Sequence, residues 1–154
     1  MTDEEVSSWI DASREAYVIE RKNSGEPEET ARRNAVDQYT VYFPGGHPAP
    51  GHQLMILEDN GARIGGVWIG PHPRRPDASE AAWLYKIEIE EDLRGRGFGR
   101  TGLGLIETHL AQSGVTELGL NVFGSNGTAR RLYATAGYRD TAVNMVKTLS
   151  IPES

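Results

Sequence analysis

Cysteine is absent from this 154-residue chain. Disulfides, thiolate nucleophiles and cysteine-ligated metals are therefore excluded, and nothing points to an oxidising compartment. Long apolar runs are also missing. None approaches the roughly 18 residues of a membrane span. An excess of positive charge is lacking too: 16 Lys and Arg stand against 22 Asp and Glu, for a formal charge of −6. That argues against non-specific nucleic-acid binding. It suits a cationic substrate, and equally a soluble acidic protein. The first residues carry Asp3, Glu4 and Glu5 rather than a basic segment and an apolar stretch, so the expectation is no signal peptide and a cytoplasmic protein. His47 and His52 share a loop without a cysteine or acid beside them, and no metal is expected there.

What remains is ordinary for a globular protein: 38% hydrophobic and 25% charged residues. The length suits one domain, 1–154. Residues 3–23 read as a helix with Val6, Ile10, Ala16, Tyr17 and Ile19 near one face. Arg14, Glu15, Glu20 and Arg21 are assigned to the other. A second helix follows at 27–40 behind Pro27, and residues 44–52 form a Pro- and Gly-rich loop. Two strands, 53–58 and 63–69, flank Asp59-Asn60-Gly61, a hairpin turn signal. Further strands are expected at 83–89 and 118–122, helices at 99–113 and 126–136, and one or two last strands within 138–149. The order is α-α-β-β-β-α-β-α-β(-β), an α/β (α+β) fold with helices on both faces of a mixed sheet.

The stretch 87–100, IEIEEDLRGRGFGR, runs a strand through a glycine-rich turn into a helix. Glycines allow positive φ and close approach of a ligand. Amides at a helix N-terminus face outward and carry the positive end of the dipole. Arg94, Arg96 and Arg100 add charge. The natural ligand is phosphate or pyrophosphate. The spacing Gly95, Gly97, Gly99 does not fit the dinucleotide fingerprint, and no Gly-Lys-Ser/Thr tripeptide marks a triphosphate loop.

Arg94-x-x-Gly97-x-Gly99 resembles the Arg/Gln-x-x-Gly-x-Gly/Ala signature of the general-control-related N-acetyltransferase (GNAT) superfamily. The segments 118–122 and 126–138 resemble its next strand and helix, and the match covers 83–138. The resemblance implies a single GNAT-like domain with a mostly antiparallel sheet. It implies acetyl transfer from acetyl-coenzyme A to an amine of a small molecule, peptide or protein. Transfer of another acyl group, or a non-catalytic acyl-coenzyme A sensor, are the alternatives. The implied partners are acetyl-coenzyme A and an amine, without metal, nucleic acid or membrane, in a monomer or homodimer. The coenzyme would meet Arg94, Gly95, Arg96, Gly97, Phe98, Gly99 and Arg100 at its pyrophosphate. Ile87 and Ile89 would meet its pantetheine arm through their amides, with Asn126, Ala129 and Tyr133 nearby.

The resemblance makes Tyr133 the acid that protonates the leaving thiolate. The base is open: Trp83 and Tyr85 stand where the family often has Glu or His. Glu88 is the candidate within the strand and Glu80 lies just upstream; Tyr85 through water, or no dedicated base, are the other possibilities. Tyr17, Tyr39, Tyr42 and Phe43 either line an acceptor pocket or cap the core. Arg74 and Arg75 are either a solvated pair or contacts for an acidic group.

Overall fold

The computed structural model describes residues 1–152. Two helices open the chain, α1 (Asp3–Asn23) and α2 (Glu28–Tyr42). Strands β1 (Gln53–Asp59), β2 (Ala62–Pro71) and β3 (Ala81–Ile89) follow, then α3 (Phe98–Gln112), β4 (Glu117–Leu120) and α4 (Gly127–Thr135). The four strands lie in the order β1-β2-β3-β4. The first three are antiparallel, and β4 joins β3 in parallel.

Local chemistry explains the elements. Thr2 and Glu5 form a reciprocal capping box at the start of α1, satisfying two amides that a helix end leaves free. The β1–β2 turn has positive φ at Asn60 (53°) and Gly61 (79°), as a type I′ hairpin requires. On one face of the sheet, Leu57, Ile64, Val67, Ile69 and Leu84 pack against Leu103, Ile106 and Leu110 of α3. On the other, Trp68 and Leu54 pack against Val6 and Ile10 of α1, Tyr39 of α2 and Phe43 just after it. Leu103 is 1% exposed. Leu103→Ala should therefore destabilise the fold by about 2–5 kcal/mol, the range for a buried leucine truncation. Urea unfolding would measure it, and a loss under about 1 kcal/mol would show a core that collapses around the gap.

Two expectations are corrected. The helix face carrying Val6 and Ile10 continues through Ser13 and Val18, whereas Ile19 is 56% exposed. Glu20 and Arg21 turn partly inward rather than lying on the outer face. The last strands expected within 138–149 are not formed. That segment carries no helix or strand, and Met145 is 90% exposed. An alternating apolar pattern selects a face only where a neighbouring strand stands beside it, and no strand pairs with this segment.

Candidate functional site

Strands β3 and β4 pair only from Ala81↔Glu117 to Leu84↔Leu120. Beyond Leu84 they part. The edge of β3 from Tyr85 to Ile89 that faces β4 has no strand beside it. A bulge sits at the same place: Trp68 pairs with Lys86 and Ile69 with Leu84, so Tyr85 is left without a partner. The extra residue breaks the two-residue alternation. Leu84, Ile87 and Ile89 belong to the core under α3. Tyr85 stacks on Trp68, 4.7 Å between centroids and 15° between planes, on the α1–α2 side. Lys86, opposite Trp68, shares that side, as does Glu88 opposite Gly66.

The glycine turn follows. Gly95 (φ 79°) and Gly97 (φ 83°) are left-handed, and Gly97 is the cap residue from which α3 begins. The amides of Gly95, Arg96, Gly97, Phe98, Gly99 and Arg100 donate to no acceptor among the described residues. The Arg94 amide does not join them, because it donates to the Glu91 carbonyl at 3.3 Å. The Arg94 side chain folds back instead: Nε donates to the Ile89 carbonyl at 3.0 Å, and Nη2 lies 3.4 Å from Glu88 Oε1. Arg100 donates to Thr135 Oγ1 and so ties α3 to α4. Arg96 makes no ion pair among the described residues. Gly99 allows α4 to approach, since a Cβ there would lie 3.3 Å from Leu132 Cδ2. A row of free amides at a positive helix end, beside an unpaired arginine, has the chemistry that an anion requires.

Asn126 caps α4, its Oδ1 accepting from the Ala129 amide at 3.1 Å. That bond employs both groups locally and leaves Asn126 Nδ2 as the side-chain donor. Tyr133 projects from α4 and is half-buried, its ring 5.7 Å from that of Tyr138 in an edge-on pair. Burial, then the charge of Glu20, pushes its phenol above the ordinary tyrosine value. It is therefore a neutral phenol at neutral pH.

Tyr133 opens onto a cleft of about 1450 Å³, also walled by Arg21, Trp83 and Phe123. Glu88 lines a different, smaller cleft of about 660 Å³ with Met1, Trp9, Arg63 and Arg94. The structure does not bring Glu88 opposite Tyr133, and Arg94 already holds its carboxylate. The bulge at Tyr85 is the reason, since it sets which residues of β3 look toward which element. The aromatics divide as well. Tyr39 and Phe43 are core, while Tyr42 and Tyr85 enclose His52 at 5.0 Å each. His52 Nδ1 accepts from Trp68 Nε1 at 3.0 Å, and burial holds its pKa below the usual value. It is a neutral packing residue. Arg75 pairs with Glu117. Among the described residues no cluster of His, Cys, Asp and Glu could hold a metal ion.

Three comparisons place this geometry. The sequence profile of the acetyltransferase (GNAT) family matches residues 7–138. YycN of Bacillus subtilis (strain 168), an uncharacterized N-acetyltransferase, is 32% identical over 152 residues, 97% of this chain and 96% of that protein. The solved structure of YycN aligns with a TM-score of 0.88 at 29% identity, covering 97% of this chain and 96% of that one. The PaiA N-acetyltransferase of Thermoplasma acidophilum, solved in complex with coenzyme A, shares the fold at a TM-score of 0.63 and 15% identity, over 94% and 89% of the two chains. From the parted strands, the glycine turn and these likenesses together, the chain belongs to the GNAT acetyltransferase family and is an acyltransferase.

Proposed function

We propose that this protein transfers an acetyl group from acetyl-coenzyme A to an amine by direct attack, within one domain. The observation that carries the reading is the set of free amides from Gly95 to Arg100, set at the end of the unpaired edge of β3. Acetyl-coenzyme A would supply the activated thioester. The residues present fit it: open space in front of Gly95 and Gly97, unpaired amides, and the uncommitted Arg96. The pyrophosphate suits those amides. The exposed edge of β3 gives amides for the pantetheine arm and for the charge developing on the thioester oxygen. Tyr133 gives its proton to the departing sulfur. No covalent enzyme intermediate is required, in keeping with a chain without cysteine.

Among the described residues no helix is long and apolar enough to cross a membrane. The acidic charge of −6 suits the proposed cytoplasmic setting. Isothermal titration tests the coenzyme site: acetyl-coenzyme A should bind saturably, and ATP and NAD should not. Free-thiol release with a panel of primary amines then tests transfer. Absence of acetyl-coenzyme A binding would overturn the reading.

A further inference from the structure

Helix α4 buries none of its residues fully, so apolar burial alone holds it weakly. Two side-chain bridges to α3 add to its hold. Arg100 donates to Thr135 Oγ1, and Tyr138 Oη donates to Glu107 Oε2 at 2.9 Å. Arg100 and Glu107 stand seven residues apart, about two turns along one face of α3. Tyr133, Ala136 and Tyr138 pack beside them against the core under α3.

The end of α4 ties Tyr138 to Tyr133 by backbone as well. Gly137 takes φ 99°. Its amide donates to the Ala134 carbonyl at 3.2 Å, and the Tyr138 amide donates to the Tyr133 carbonyl at 3.0 Å. This is a Schellman ending, which commonly adds an apolar contact between the same two positions. Here that contact is the edge-on ring pair, 5.7 Å between centroids and 66° between planes. Such an ending needs only an apolar side chain at 138. The hydroxyl of Tyr138 and its bond to a carboxylate of another helix are more than the ending requires.

The Tyr133 hydroxyl itself makes no hydrogen bond among the described residues. Its direction is therefore left to the packing of its ring. Tyr138 is the ring beside it, and Glu107 fixes the far end of Tyr138. All three side chains wall the one cleft of about 1450 Å³. A proton donor must come within about 2.6–3.2 Å of its acceptor. Misplacing a reacting group by about 1 Å can cost about 10²-fold.

We propose that Tyr138, anchored by Glu107, is a positioning residue that aims the Tyr133 phenol at the departing sulfur. This role rests on the reading of Tyr133 as the acid. Tyr138 exchanges no proton and touches neither substrate; it acts through Tyr133 alone.

Two measurements decide. In carbon-13 tyrosine NMR, with the Tyr133 signal assigned by Tyr133→Phe, Glu107→Leu should shift the Tyr133 signal, because the Tyr138 ring beside it is released. Glu107→Gln, whose amide oxygen still accepts from the phenol, should shift it far less. An unmoved signal in Glu107→Leu overturns the coupling. The second measurement is thiol release from acetyl-coenzyme A with methylamine, phenethylamine and lysine amide. Tyr138→Phe keeps the ring and loses the anchor, and should lower kcat about tenfold. The acceptor KM, and acetyl-coenzyme A affinity in calorimetry, should stay within about twofold. Glu107→Leu should match that loss, and Glu107→Gln should recover most of it. In the Tyr133→Phe background no proton remains to be aimed, so adding Tyr138→Phe should slow turnover by less than about twofold more. Effects that multiply would mean a route other than Tyr133 and overturn the role. A Tyr138→Phe with the wild-type kcat, or with only a raised acceptor KM, overturns it too and leaves Tyr133 as the acid. A Tyr133→Phe with the wild-type rate overturns the reading of Tyr133 instead, and a wild type that binds the coenzyme but releases no thiol with any of these amines overturns the proposed function; the Tyr138 role falls with either.

Discussion

Gly97→Asp should weaken acetyl-coenzyme A binding by about a hundredfold, while Gly97→Asn costs only about tenfold. Gly97 holds φ at 83° and is the cap residue from which α3 begins. Asp and Asn tolerate this left-handed backbone better than other non-glycine residues. A Cβ at Gly97 would meet nothing within 4 Å, so neither substitution disturbs packing. Both should reduce stability by about 1 kcal/mol through backbone strain alone. They differ in charge. The aspartate carboxylate stands before the free amides of Phe98, Gly99 and Arg100 and competes with a phosphate for them. Losing a charge-assisted hydrogen bond costs about 1.5–3 kcal/mol, and that range is about tenfold to just over a hundredfold in Kd. Calorimetry on both variants separates shape from charge. Equal affinity of Gly97→Asp and wild type would show that the turn is needed for geometry only.

The sequence made the local features legible. Asn60 and Gly61 at a hairpin, and Gly95 and Gly97 before a helix, are positions whose backbone demands only glycine or asparagine meet readily. Such a demand is written in the residue itself. Long-range features were not legible. The bulge at Tyr85 exists because β2 pairs with Lys86 and then with Leu84, and no property of Tyr85 alone requires it. It set Lys86 and Glu88 on the α1 side of the sheet, and Glu88 lines a different cleft from Tyr133. The half-burial of Glu20 was hidden for another reason. A single charged residue in an apolar stripe reads as the edge of the stripe, although the four-three spacing from Ser13 and Tyr17 was present to be counted. The segment 138–149 failed in the opposite direction: its apolar alternation suggested a strand, yet it pairs with nothing.

The two halves of the site are thus built by different means. The proposed coenzyme half rests on backbone, and its message is carried by glycines. The proposed acid is instead a side chain, Tyr133, which α4 delivers from far along the sequence. A substitution in the first half should change coenzyme affinity, and one in the second should change turnover.

Tyr133→Phe should show that division most clearly. Phenylalanine keeps the ring, its edge-on contact with Tyr138 at 5.7 Å, and its place against the core under α3. The lost hydroxyl makes no hydrogen bond among the described residues, so stability should change by less than about 0.5 kcal/mol. Acetyl-coenzyme A affinity should stay within about twofold. The maximal rate should fall by about 10²–10⁴, the usual worth of a positioned acid. A thiolate is a fair leaving group, since free thiols have a pKa of about 8.5, and this draws the expectation toward the lower end. The pH dependence has a definite sign. Burial and Glu20 raise the Tyr133 pKa above the ordinary value of about 10. The donor is therefore loaded throughout the neutral range, and its contribution is lost only as pH rises through the raised value. Stability follows the same sign: the folded state favours the neutral phenol, so the contribution is present below about pH 10 and declines above it. In Tyr133→Phe the alkaline limb of the rate should be absent, and the decline in stability shallower but still present, because burial raises Tyr39, Tyr85 and Tyr138 as well. A variant with the wild-type rate and the wild-type alkaline limb would remove Tyr133 from the chemistry and leave solvent to protonate the sulfur.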